Sequence, residues 1–210
     1  MKRLTAILTL IAAFALAGCL KASAQSFWIG PEAGFNASWI THTIIDPGDK
    51  VLPHNNFYAG IKAAYDFGES MIGQMELLYA GKGHTDRNAI TDYKYSRNLS
   101  YIQLPLLIGY KLADEKFHIL VGPDFGYLIK STTKSDDPQD VTGDTTADCN
   151  RFNIAAALQL AYYIIPQLGI DIRFDIGLNR TFHQDFSYGP FNDQGRNLSV
   201  QLGVCYRFEL

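Results

Sequence analysis

Five histidines, a row of carboxylates and two late cysteines are the residues of this chain that could do chemistry. His42, His54, His84 and His183 fall in polar segments, and His118 lies inside an apolar one. No H-x-H or H-E-x-x-H spacing joins any two of them, so nothing sets two imidazoles side by side for zinc. His183, Asp185 and Ser187 supply the residue types of a base, an orienting acid and a nucleophile. A polar loop produces such sets by chance. The segment STTKSDDPQDVTGDTTADCN (131–150) carries Asp136, Asp137, Asp140, Asp144 and Asp148 against Lys134. Calcium is held by carboxylates of this kind, but the spacing is not that of an EF-hand loop, and a solvated acidic loop accounts for it. These residues nominate no catalytic, cofactor-binding or metal-binding side chain, and the chain reads as non-enzymatic.

The elements that would have to position them are strands. In SYIQLPLLIGYKL (100–112), Pro105 argues against a helix interior. Taken every second residue, Ile102, Leu104, Leu106, Ile108, Tyr110 and Leu112 make one purely apolar face, opposite Tyr101, Gln103, Pro105, Leu107, Gly109 and Lys111. Similar alternation marks eight stretches, at about 27–38, 56–67, 71–82, 97–112, 117–130, 151–164, 168–179 and 197–208. The second face carries the strand charges: Glu32, Lys62, Asp66, Glu76, Lys82, Lys111, Asp124, Lys130, Arg151, Asp171, Arg173, Asp175 and Arg207.

Size decides which face looks inward. The Phe, Ile, Leu and Tyr side chains would overfill an eight-stranded barrel, whereas small and polar residues fit its bore. The apolar face therefore turns outward into lipid. The connections agree: residues 68–70, 113–116 and 165–167 are short turns, while 39–55, 83–96, 131–150 and 180–196 are long and polar. Short periplasmic turns alternating with long external loops are the outer-membrane pattern. The fold expected is all-β, an eight-stranded antiparallel up-and-down transmembrane barrel over residues 25–210. Pro31, Pro105 and Pro123 each forfeit a ladder bond in a closed sheet. Because parity is unbroken across Pro105, a local widening or bulge is expected there and not a register switch.

Bulk properties are consistent with this. The 210 residues include 47% hydrophobic types, mean hydropathy is −0.04, and past the N-terminus no apolar run is long enough for a spanning helix. Lys2 and Arg3, an apolar run from Leu4 to Ala17 and small residues at Ala22, Ser23 and Ala24 read as a signal peptide, residues 1–24. Leu16 to Cys19 forms a competing lipoprotein box, with lipid on Cys19. Removing Lys2, Arg3 and Lys21 from 18 basic residues leaves 15 against 21 acidic, a net charge of −6, which disfavours nucleic acid as a partner. Cys149 and Cys205 then remain, near opposite strand ends, too far apart to pair.

The YIQLPLLIGYKL strand, ILVGPDFGYLI (119–129) after a short turn, the ASAQ end of the leader and the terminal CYRFEL resemble the PorT-like outer-membrane β-barrel proteins of Bacteroidota, a porin-type family. The resemblance implies insertion in the outer membrane by the barrel-assembly machinery, contact with outer-membrane lipid and lipopolysaccharide, and in one branch a protein partner in secretion. The function expected is a structural or interaction barrel, or a very narrow conduit with a side-chain-filled lumen. The alternatives are a soluble or lipid-tethered barrel holding an apolar ligand, and a lipid-modifying enzyme. On the lipid face, arginine at Leu104 or Ile172 should be costly, and at Gln103 or Gln201 much milder.

Overall fold

A computed structural model describes residues 26–41, 50–87, 93–113, 115–136, 142–182 and 195–210. The leader 1–24 with Cys19, and His42, Asp137, Asp140, His183, Asp185 and Ser187, lie outside the described residues. Eight long strands follow in order: β1 Phe27–Thr41, β2 His54–Asp66, β3 Met71–Arg87, β4 Lys94–Leu112, β5 Phe117–Ser135, β6 Phe152–Ile165, β7 Leu168–Gly177 and β8 Arg196–Tyr206. Each pairs antiparallel with its sequence neighbour, and β1 pairs with β8 from Glu32↔Cys205 to Thr41↔Arg196. The sheet is a closed barrel. Closure satisfies backbone donors and acceptors inside the wall, which lipid could not do. The terminal Phe208–Glu209 continues the seam against Trp28 and Ile29.

Alternation sorts the side chains as expected. Phe35, Ile61, Leu77, Ile108, Val121, Ile176 and Leu202 are exposed on the outer surface, while Glu32, Lys62, Glu76, Asp124, Asp171, Arg173 and Asp175 are buried in the bore. Aromatic residues mark two levels on the outside. Phe57 lies against Tyr79 and Tyr127 against Phe152 near one rim; Tyr65 lies against Phe67 and Tyr206 against Phe208 near the other. From Phe152 to Tyr162, or Phe57 to Phe67, is ten residues of strand. At about 3.3 Å per residue and a tilt of roughly 40°, that spans about 25 Å, the height of an outer-membrane apolar band flanked by aromatic girdles. The wide apolar exterior and the packed interior together rule out a soluble barrel holding an apolar ligand.

Strand ends and one register depart from the sequence reading. β3, β4 and β5 extend well past the outer girdle, so His84 is a strand residue and His54 begins β2 instead of lying in a loop. In β5 the register shifts: Tyr101 pairs with Leu128 but Ser100 with Lys130. Ile129 is the extra residue of a bulge, and parity flips beyond it. Lys130 consequently points outward and Ser131 and Thr133 point in. Arg151, at the start of β6, is also exposed. Neither is a lumen charge. At Pro105 pairing lapses between Met75↔Leu106 and Leu78↔Gln103 and resumes in the same register, a local gap without a switch.

Candidate functional site

The bore is the place where charged chemistry collects, and strand register puts it there. Lys62 on β2 sits opposite Glu76 on β3, and Asp171 opposite Gly203 on β8. Each of these points inward by parity, so groups from distant strands converge on the barrel axis. Lys62 Nζ lies 2.6 Å from Glu32 Oε2, 3.3 Å from Asp171 Oδ2 and 3.8 Å from Glu76 Oε1. Arg173 pairs with Glu76 through Nη1, donates from Nε to Gln201 Oε1 at 3.1 Å, and stands 3.8 Å from Asp175. Lys82 Nζ is 3.2 Å from Asp175 and 3.9 Å from Asp124.

Glutamines complete the web. Gln74 Nε2 donates to Glu76 Oε1 at 2.7 Å, Gln201 Nε2 to Gln103 Oε1 at 3.3 Å, and Gln103 to Asp124. A buried charge is tolerated only when paired and hydrogen-bonded, and three cations here bind five carboxylates into one layer. Lys62 meets Glu32 and Glu76 on the strands either side of its own, while four of these seven ion pairs cross the bore to strands that are not neighbours.

Two plugs flank this layer. Toward the outer rim, Ile40, Leu99, Tyr101, Leu128 and Cys149 form an apolar cluster with Phe182 against it. The segment after β5 folds over it: Gly143 and Asp144 pair with Thr133 and Thr132, and a 3₁₀ turn at Thr146–Asp148 follows. Part of the acidic segment is thus an ordered flap. Asp144 accepts from the Thr146 hydroxyl and from its backbone N–H, which holds its carboxyl below the usual range. Burial raises the Cys149 thiol. Toward the other rim, Arg207 stacks between Tyr163 and Trp28, 3.8 and 4.2 Å from the two rings, and Lys111 bridges Asp66 and Glu115. His118 is buried, 4.7 Å from the Tyr163 ring, with Nε2 3.0 Å from the Glu115 carbonyl. Both described cysteines are free.

Among the described residues, no three His, Cys, Asp or Glu side chains form a metal-holding group. The carboxylates are engaged by lysine, arginine and glutamine. Sequence alternation identifies the central lumen charges, misplaces Lys130 and Arg151, and misses both the buried Arg97, which donates to Thr133, and the outer groove formed by Arg151, Arg180 and Arg196, because those three arginines come from the ends of three different strands.

A closed eight-stranded barrel with lipid outside and a salt-bridged bore defines a small integral outer-membrane protein. Residues 23–183 match the family described as outer membrane protein beta-barrel domain, and the chain belongs to it. It therefore resides in the outer membrane. No curated protein matches it. Among solved structures, Ail, the attachment invasion locus protein of Yersinia pestis, is 14% identical, with 86% of this chain and 98% of that one covered at a TM-score of 0.47. OprG from Pseudomonas aeruginosa is 14% identical, with 88% and 96% covered at 0.45. A major outer membrane protein from Thermus thermophilus is 13% identical, with 88% and 100% covered at 0.48.

Proposed function

We propose that this barrel is a non-enzymatic structural or interaction protein of the outer membrane, with a lumen closed to ordinary solutes. The observation that carries this reading is three successive layers of side chains across the bore: an apolar outer cluster, the Lys62–Arg173–Lys82 charge layer, and the Arg207 stack below it. A channel of useful width would keep water and often one sign of charge along its bore, whereas here opposite charges are joined across it. Its partners on this reading are outer-membrane lipid and lipopolysaccharide, the barrel-assembly machinery during insertion, and an envelope or secretion protein reached through the external segments. The strand texture of residues 101–112 and 119–129 supports placing it with the PorT-like outer-membrane β-barrel proteins of Bacteroidota.

Single-channel recording of the purified, refolded chain in planar bilayers tests this. Silence, or only brief small events, is expected. Large, stable and reproducible openings would replace the closed-barrel reading with a pore.

A further inference from the structure

The outer rim holds a feature that the plugged bore leaves unused. Between the ends of β6, β7 and β8 on the outside of the barrel lies a groove of about 680 Å³ lined by Asn150, Arg151, Phe152, Leu178, Arg180 and Arg196, with Asn179. Among the described residues its lining holds three arginines and no acid. The three arginines are all exposed. Among the described residues, Arg180 and Arg196 show no side-chain ion pair, and Arg151 makes 3.4 Å contacts to the Leu128 and Ile129 carbonyls and feels the Asp144 carboxylate at longer range.

The backbone beneath them is pinned. Asn150 Nδ2 donates to the Arg180 carbonyl at 2.9 Å and to the Phe182 carbonyl at 3.2 Å. Asn179 Nδ2 donates to the Phe152 carbonyl at 2.6 Å, while its Oδ1 accepts from the Ile154 N–H at 2.7 Å. The arginines are therefore presented from a fixed frame.

Depth gives the groove its second character. Phe152 belongs to the outer aromatic girdle, edge-to-face with Tyr127, and Leu178, just past the end of β7, is exposed on its lipid-facing side. The groove thus has cationic groups at headgroup height above apolar walls that continue into the lipid band. A guanidinium matches a phosphate with two parallel N–H donors, and an apolar wall directly below suits acyl chains. A free anion would use only the upper half.

We propose that this groove binds the phosphorylated headgroup of an outer-leaflet lipid, with Arg151, Arg180 and Arg196 on the phosphate and Phe152 and Leu178 against its chains. The proposal rests on the outer-membrane reading and gives its lipid contact a location.

The test uses the full folded chain in phosphatidylcholine nanodiscs doped with diphosphoryl lipid A or with the same lipid dephosphorylated, and reads retained lipid by native mass spectrometry. The phosphorylated form should be retained about tenfold more, the scale of one or two charge-assisted hydrogen bonds. R151Q/R180Q/R196Q should abolish that preference, and K94Q/K134Q, elsewhere on the rim, should keep it. Heat-modifiable gel mobility verifies folding of both variants. If the triple variant does not fold, the wild-type comparison of the two lipids decides. Equal retention of both lipids, an unchanged preference in the folded triple variant, or full displacement by millimolar inorganic phosphate would overturn the proposal. A chain that fails to insert would instead count against the outer-membrane reading itself.

Discussion

The phenol of Tyr58 on β2 donates to Asp171 on β7 at 3.4 Å, across the two strands that separate them. Register explains how. Tyr58 is opposite Gly34, Gly34 opposite Gly203, and Gly203 opposite Asp171, so four consecutive lumen positions around the wall read Tyr, Gly, Gly, Asp. The two glycines leave a channel in which the ring lies flat. A Cβ at Gly203 would meet the Tyr58 oxygen at 1.9 Å, and one at Gly34 the ring at 2.7 Å.

Gly203→Ala is therefore expected to displace Tyr58 and destabilise the barrel by about 1–3 kcal/mol, the usual cost of overpacking. Gly203→Ala combined with Tyr58→Leu should recover part of the loss, because the shorter side chain no longer crosses the channel. Urea unfolding in lipid vesicles measures both. Equal stability of wild type and Gly203→Ala would refute the packing argument.

Lys62 is the next test, since one ammonium faces Glu32, Asp171 and Glu76. Lys62→Met leaves three buried carboxylates short of their shared cation, and breaking a buried pair costs about 3–5 kcal/mol. Adding Asp171→Asn should restore some stability, giving a coupling of about 0.5–3 kcal/mol in a double-mutant cycle, as for side chains in direct contact. Strictly additive effects would mean that Lys62 and Asp171 do not interact in the folded barrel.

The physical reason some of this is readable in the sequence and some is not lies in what alternation encodes. Period two assigns each residue a face, so Lys62, Arg173 and Asp171 fall in the bore from sequence alone. It does not say which inward residue meets which, because that depends on register around a closed wall, and Tyr58 reaches Asp171 only through two glycines. Beyond the outer girdle lipid no longer selects apolar side chains, so the ends of β3, β4 and β5 fade into polar sequence. Unbroken alternation puts Lys130 on the wrong face for a related reason. The bulge at Ile129 reverses parity after Leu128, and its trace is subtle: Leu128 and Ile129 are both apolar, followed by Ser131 and Thr133 pointing in.

On the lipid face, Ile172→Arg should cost about 2–4 kcal/mol, the penalty near the midplane. Leu104 is two residues from Ile102, which pairs with Tyr127 of the outer girdle, so Leu104→Arg should cost less. The expectation of mild effects at Gln103 and Gln201 does not survive the structure. Both are fully buried, Gln103 is bonded to Asp124, and Gln201 accepts from Arg173. Gln201→Arg would set a second guanidinium against the first and should be at least as harmful as Leu104→Arg. The same vesicle unfolding assay ranks all three.

The external flap gives a pH-dependent prediction of definite sign. The Thr146 hydroxyl and N–H both donate to Asp144 and favour its charged form, so its pKa is lowered from the ordinary 3.8 when the flap is folded. A depressed carboxyl contributes stability above its unfolded pKa and loses it as pH falls through the folded one. The flap should therefore be indifferent to pH near neutrality and loosen only below about pH 4. Hydrogen exchange at the Thr146 amide, corrected for the intrinsic pH dependence of exchange, reports this locally. Protection should fall in that window in the wild type, and Asp144→Asn should be flat across it because its amide cannot titrate. The rest of the barrel should keep its protection at the same pH, since β5 and β6 are held by their own ladder. Simultaneous loss across β5, β6 and the flap would show that the flap is one cooperative unit with the barrel and that Asp144 does not control it.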